Sequence, residues 1–310
     1  MKAIVQDGYG GPERLRLAEL PLPEPGRCQV RVRVAACAVN LSDWENLVGS
    51  PFYVRLVGGL LRPKHAVLGS DIVGHVDKLG PGVSGVEVGQ RVMGDCVQVR
   101  GGFAQLACLA AAGSVPVPDS LSDEVAACLP QAGGIAVTGT EGLAAGDHLL
   151  INGAGGGSGT MALQLAKAAG VHVTAVDNAA KTGWLTALGA DEVIDYRERD
   201  FASGGQRWDR ILDMVATRGP TRGGRCLRPG GCYRAVGGEV RVLLALLLGG
   251  LPYRLARKSI GMLIVRSGRA LTRRVAEMAV AGRLEPAIEA VLDLSDTPEA
   301  LQRSRAGGVR

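Results

Sequence analysis

The stretch His148–Asp177 reads HLLINGAGGGSGTMALQLAKAAGVHVTAVD, and the fold is decided there. The apolar run Leu149, Leu150, Ile151 feeds a turn holding five glycines among the seven residues from Gly153 to Gly159. A helix-patterned segment follows, with Met161, Leu163 and Leu165 among good helix formers. The β-branched run Val171–Val176 then ends on Asp177. Strand, glycine turn, helix, strand and terminal acid are the layout of a nucleotide-binding βαβ unit. Residues without Cβ allow the tight turn and let a pyrophosphate approach main-chain N–H groups. The free amides and dipole of the following helix favour its negative charge. An acid closing the second strand accepts hydrogen bonds from an adenosine ribose. Gly153, Gly156, Gly157, Ser158, Gly159 and Asp177 are therefore expected to hold a dinucleotide.

Around this unit, 310 residues leave room for two domains with separate cores. With 46% hydrophobic and 21% charged residues, the chain has the composition of a soluble globular protein. The net charge of +5 comes from scattered arginines and one denser region, Arg254 to Arg274. No aromatic side chains for base stacking are interleaved there, so a solvated helix face is expected and no nucleic-acid partner. Seven cysteines without a close CxxC pair, behind an opening MKAIVQ that lacks a leader pattern, suggest reduced thiols in a cytoplasm. The apolar run Val242–Leu251 is about half of what a bilayer span needs, so no membrane partner is expected.

Residues 1–115 read as short strands, Ala3–Val5, Gln29–Val34, Asp71–Leu79 and Arg91–Gly94, broken by prolines and glycines as in a β-rich barrel. The insertion Trp44–Leu68 is apolar for a loop. It reads either as a cover over a substrate cleft or as a helix packed on the barrel. From Val115 onward strands and helices alternate, implying a doubly wound parallel sheet with ligands at the carboxyl ends of its strands. The expected division is 1–115 with 267–310 as the barrel domain and 116–266 as the nucleotide domain.

Several motifs now take on a specific likeness. Asn40-Leu41-Ser42-Asp43-Trp44, Leu68-Gly69-Ser70-Asp71, Pro130-Gln131-Ala132-Gly133, the glycine turn, Leu188–Asp191 through Tyr196, and Arg228–Gly231 through Gly238 lie in order along the chain. Together they resemble the medium-chain dehydrogenase/reductase superfamily, and within it the zinc-independent quinone oxidoreductase branch. The resemblance spans nearly the whole chain. It implies a Rossmann domain plus a GroES-like barrel, an NADP(H) or NAD(H) cofactor, and a homodimer through the 260–265 strand. It also implies that Asn40 lines the cofactor–substrate cleft with Ser70 and Asp71 nearby. Asn178, Lys181, Tyr196, Val236 and Gly237 complete the cofactor set. Lys181 matches a lysine aimed at a 2′-phosphate, whereas the Asp177 carboxylate favours a free ribose hydroxyl, so both cofactors stay open. Tyr53 is either a donor to the substrate carbonyl, or proton source, or a packing residue.

Zinc-dependent relatives carry Cys where Asn40 stands and His-Glu where Ser70-Asp71 stands, so the preferred N and S ligands are lost and no metal is expected. Without a Lewis acid, hydride is expected to go to an acceptor that is already electrophilic, a quinone or α,β-unsaturated carbonyl, and a small apolar carbonyl compound is the expected substrate. Three departures stand out: Ile135 where relatives usually have Thr, a short segment from Gly133 to Gly146, and an end at Gly307–Arg310 in place of a terminal strand. They leave room for a non-redox isomerase or cyclase, or a structural partner, on the same fold. A zinc-free alcohol dehydrogenase is a third reading.

Overall fold

In the computed structural model Leu149, Leu150 and Ile151 are completely buried at the centre of a parallel sheet. Apolar runs without alternation are what a strand covered on both faces requires. The structure describes residues 1–96, 100–217, 220–238, 240–255 and 257–305. The chain forms two compact units: Met1–Gly134 with Arg266–Gly282 and the segment from Ile288 on, and Ile135–Val265 with Arg283–Ala287.

In the first unit, β1 (Lys2–Gln6) and β2 (Leu15–Glu19) pair antiparallel. A second antiparallel sheet takes β3 (Gln29–Ala38), β4 (Asp71–Leu79), β5 (Arg91–Asp95), β6 (Leu106–Ala110) and β7 (Val115–Pro116) in the order β6-β3-β4-β5-β7. Its core holds Val30, Val32, Ile72, Val76, Val92 and Leu109. Against β4 the register of β3 shifts between Val34 and Ala36, a bulge that bends a long strand. Gly74 lies opposite, where a Cβ would fall 1.9 Å from the Arg33 carbonyl oxygen, so only glycine lets the strands close here.

The insertion is two short helices, α1 (Leu41–Val48) and α2 (Phe52–Gly58). Gly49 ends α1 in the left-handed conformation (φ +64°), and Pro51 caps the start of α2. Leu47 and Val54 are buried, which agrees with the packed-helix reading, while most apolar side chains of α2 face outward. The first unit continues past Val115 through α3 (Asp123–Ala127), capped by the Ser122 hydroxyl. Arg91 is bound to Asp123 at 2.6 Å. Gly133 packs so closely on Val275 that a Cβ would lie 2.3 Å from its Cγ1.

The second unit contains α4 (Gly134–Thr140), β8 (His148–Asn152), α5 (Gly157–Ala168), β9 (His172–Asp177), α6 (Thr182–Ala187), β10 (Glu192–Asp195), β11 (Trp208–Asp213), α7 (Pro220–Arg225), β12 (Leu227–Ala235), α8 (Val240–Leu255) and β13 (Ser259–Met262). The strands are parallel in the order β10-β9-β8-β11-β12-β13, so chain direction across the sheet reverses between β8 and β11. That reversal opens a crevice at the carboxyl edge. Val176, Ile194, Trp208, Ile211, Tyr233 and Val242 fill the core, and Trp208 satisfies its indole N–H on Thr174 Oγ1 at 3.2 Å. In sequence Gly230 and Gly231 read as the boundary before a strand Cys232–Val236, but β12 starts earlier, at Leu227, and absorbs both glycines through a register shift opposite Trp208 and Arg210.

The run Val242–Leu251 lies on α8, where Val242 and Leu246 pack into the core, as ordinary helix–sheet packing requires. The side chains of 247–252 lie outside those described. Helices α9 (Arg269–Val280) and α10 (Thr297–Arg305) return to the first unit, where Leu301 is buried beside Ile4, Leu47, Leu68 and Phe103. The segment Arg283–Ala287 instead joins the second unit, through reciprocal bonds between Gln164 and Glu285. The question of an unpaired barrel edge after Gly307–Arg310 falls outside the described residues.

Candidate active site

In the second unit the glycine turn is held from both sides. Gly153, at φ +84°, and Ala154 both donate to the Val176 carbonyl, at 2.9 and 3.2 Å. Gly155 N–H donates to Asp177 Oδ2 at 2.8 Å. Gly156 caps α5, and the amides of Gly157, Ser158 and Gly159 form its first turn, where helix geometry supplies no intrahelical acceptor. A Cβ on Gly159 would lie 2.4 Å from the Gly153 carbonyl oxygen, so the turn and helix touch backbone to backbone. A cradle this shallow, rimmed by free amides at a helix start, fits a pyrophosphate.

Asp177 closes β9 and is 9% exposed. Its Oδ1 accepts from Asn178 N–H at 2.9 Å and from Asn178 Nδ2 at 3.1 Å. Lys181, 8% exposed, lies 3.7 Å from the same carboxylate and donates to the Gly155 carbonyl at 3.1 Å. Tyr196 follows β10, donates its N–H to the Asp177 carbonyl at 3.1 Å and leaves its side chain 44% exposed. Val236 and Gly237 follow β12, with Val236 N–H on the Asp213 carbonyl at 2.8 Å. All the expected cofactor residues thus come to the carboxyl edge of one sheet. His148 and His172 begin β8 and β9 at the opposite edge, their rings 4.8 Å apart.

Sequence reading missed Asp213 at this edge. It is 3% exposed and gathers Asn152 Nδ2 at 2.8 Å, Ala216 N–H at 2.7 Å and the Tyr233 hydroxyl at 2.6 Å. Its signal was available: an acid at the end of the apolar run Ile211–Leu212, repeating what Asp177 does after β9.

In the first unit Asn40, Ser70 and Asp71 come together around Asp43. Asn40 is the N-cap of α1, and Asp43, one turn on, accepts its N–H at 2.9 Å. Asp43, fully buried, also accepts from Gly69 N–H and Arg100 Nη1, each at 3.2 Å, which ties α1 to the Gly69–Asp71 turn. Burial pushes its carboxyl up to about 6 against the pull of these donors and of the Arg100 charge. Asp71 opens β4, fully buried, and Oδ2 accepts Gln131 N–H at 2.9 Å from a single π-helical turn at Leu129–Gly133. Burial, reinforced by the charges of Asp95 and Asp43, holds the Asp71 carboxyl well above the usual carboxylate range. Asn40 lies near enough to act on that carboxyl, yet its geometry makes no well-formed hydrogen bond. Asn40 Nδ2, Ser70 Oγ and Asp71 Oδ1 are buried and have no hydrogen-bond partner among the described residues.

Tyr53 is not brought into this group. It sits half-buried on α2, where burial and the Glu45 charge raise its phenol, and its hydroxyl makes no hydrogen bond among the described residues. Arg100 was also missed; a buried arginine at φ +52° before Gly101 leaves no signal in sequence. No group of three or more His, Cys, Asp or Glu is arranged to hold a metal ion among the described residues.

Comparison with known proteins places these sites in context. Residues 26–119 match the family model of the alcohol dehydrogenase GroES-like domain, and residues 188–310 that of zinc-binding dehydrogenases. The chain is similar to the quinone oxidoreductase of Rattus norvegicus, 31% identical over 253 residues that cover 76% of this chain and 73% of the relative. It is similar in structure to the quinone oxidoreductase from Coxiella burnetii, with a TM-score of 0.87 at 28% identity over 100% of this chain and 97% of that one. The Escherichia coli quinone oxidoreductase complexed with NADPH shares the fold, with a TM-score of 0.83 at 21% identity over 100% and 98% of the two chains.

The Asp43 shift has a stability consequence with a definite sign. A carboxyl at about 6 in the folded chain and 3.8 when unfolded binds its proton more tightly when folded. Its contribution is complete below about pH 4 and is lost as pH rises to about 6, an upper bound of about 3 kcal/mol. Urea unfolding at pH 4 and pH 6.5 is expected to show this loss in the wild type, and a smaller one in Asp43→Asn. Equal pH dependence in both proteins would refute the assignment.

Proposed function

The chain belongs to the medium-chain dehydrogenase/reductase superfamily, in its quinone oxidoreductase-like branch, and on that premise we propose a zinc-independent NAD(P)H-dependent reductase of quinones or α,β-unsaturated carbonyls. The observation that carries this reading is the set of unspent buried groups in the first unit, Asn40 Nδ2, Ser70 Oγ and Asp71 Oδ1. Two of the three are hydrogen-bond donors, and none is a nitrogen or sulfur ligand of the kind zinc prefers. The nicotinamide, when bound in reduced form, supplies a hydride. The chain's part is to hold it through the Gly153–Gly159 turn and Asp177, and to meet the negative charge that develops on the acceptor oxygen. Donors fixed in a dry site stabilise such charge without reorganising, which suffices for an acceptor that is already electrophilic. Asp71 stands beside the Asn40 amide without a well-formed hydrogen bond to it, and no separate role is assigned to it. Tyr53 is left out of this scheme.

The test is oxidation of NADPH and NADH by the purified chain with a panel of small enones and benzoquinones, before and after chelator dialysis. Turnover that survives dialysis supports the proposal. Asn40→Ala and Ser70→Ala are each expected to lower kcat by about a hundredfold with cofactor affinity kept. Stoichiometric bound zinc, or no turnover despite cofactor binding, sinks it; the second outcome favours an isomerase, cyclase or structural protein.

For the choice of cofactor, we propose NADPH ahead of NADH. Lys181 offsets the Asp177 carboxylate within the turn, which removes the main objection to a 2′-phosphate. Lys181→Ala is expected to weaken NADPH at least roughly tenfold more than NADH in equilibrium titrations, the worth of one charge-assisted contact. Equal losses would argue against the role.

We further propose a homodimer through the edge strand β13, beside which Met262 and Ile264 are 44% and 77% exposed. Light scattering is expected to give twice the chain mass at micromolar concentration; a monomer there removes the proposal.

A further inference from the structure

We propose that the outer face of α2 and the loop after it dock peripherally on an anionic lipid surface. Phe52, Leu56, Val57, Leu60 and Leu61 are 58%, 62%, 77%, 55% and 87% exposed within ten consecutive residues. Such a concentration of outward apolar side chains marks an interaction surface rather than the scatter found on any protein. The segment is framed and does not hang loose. Val54 is buried beneath it, the Tyr9 hydroxyl donates to the Gly59 carbonyl at 2.5 Å, and Arg55 stacks on the Tyr9 ring while donating to the Gly49 carbonyl at 2.9 Å.

Charge selects the partner. Between Glu45 and Asp71 the chain has no acidic residue, while Arg62 and Lys64 stand exposed at the rim of the apolar cluster. Arg62 makes no ion pair or hydrogen bond among the described residues, and Lys64 reaches only the Val57 carbonyl, at 3.0 Å. A second copy of the chain docked here about a twofold axis would set these cations against themselves. A bilayer with acidic headgroups meets both demands: the apolar side chains enter the headgroup–acyl boundary and the cations meet phosphate and carboxylate. The short run on α8 argued against a membrane only as something to be crossed. No helix among the described residues is long and apolar enough to cross one, so the mode is peripheral.

The experiment is sedimentation of the full chain with phosphatidylcholine vesicles, with and without phosphatidylserine as a minor component. Wild type is expected to bind the serine-containing vesicles at least tenfold more tightly, with the preference fading at high salt. Arg62→Glu with Lys64→Glu is expected to cost roughly thirtyfold on anionic vesicles, about fivefold for each cation removed and more for the reversed charge. Val57→Ser with Leu61→Ser is expected to lose at least tenfold on them. Both pairs lie at exposed positions, and an unchanged unfolding midpoint shows that the variants are folded. Absence of vesicle binding by the wild type, or binding that ignores both pairs, overturns the proposal. So does loss of self-association in Val57→Ser with Leu61→Ser without vesicle binding, which would give this face to a second copy.

Discussion

The second unit rests on the contact between Gly159 and the carbonyl oxygens of Gly153 and Ala154. Any side chain at 159 would enter space those oxygens occupy, since a Cβ would lie 2.4 and 2.6 Å from them. With glycine there, α5 starts directly above the end of β8, and its first amides stand at the carboxyl edge of the sheet. The same turn is pinned to β9 by Gly153 and Ala154 N–H on Val176, and to Asp177 by Gly155 N–H. Turn, helix start and acid are therefore one piece of backbone. Asp177 is held in place by Gly155 and Asn178, and in the proposed cofactor role that would remove an ordering cost binding otherwise bears.

The first unit is governed by two carboxylates in dry surroundings, and they differ in how far they are satisfied. Asp43 spends both oxygens on Asn40, Gly69 and Arg100, so it fastens a helix start to a turn. Asp71 spends one oxygen on Gln131, while its other oxygen, Asn40 Nδ2 and Ser70 Oγ have no well-formed hydrogen bond among the described residues. A buried polar atom without a partner costs about 1–3 kcal/mol. Several such atoms in one unit are a standing expense, and sites where a ligand completes the bonding are where folds carry it. Gln6 Oε1 is also without a partner among the described residues, and Gln6 lines a groove with Tyr9, Asn46, His65 and Arg100.

What the sequence disclosed follows from how local each signal is. The glycine unit was legible because strand, turn and helix impose their periods within thirty residues, and because a terminal acid after a buried strand has few other uses. Asn40, Ser70 and Asp71 were legible through motif likeness, although their convergence depends on Asp43 bridging residues 26 apart in the chain. Arg100 was invisible, since neither its burial nor its backbone conformation has a local cause. The strand at Leu227 was hidden by Gly230 and Gly231, which read as a boundary but are absorbed as an irregularity. The apolar runs at 44–68 and 242–251 gave composition without period, and composition alone does not separate a covering loop from a helix.

Chemistry narrows the reading further than fold does. Ketone reduction needs the oxygen polarised strongly, and the residue types in this site offer an amide, a hydroxyl and a carboxyl held toward its neutral form. Those groups can stabilise an enolate or a hydroquinone anion, whose charge is already delocalised, but they are poor substitutes for a Lewis acid on an isolated carbonyl. A protein that kept this fold as scaffold alone would gain stability by filling or pairing Asn40 Nδ2, Ser70 Oγ and Asp71 Oδ1, for instance through apolar replacements of similar shape. These groups stay polar and, among the described residues, unpaired, which supports the proposal that an acceptor oxygen is their partner.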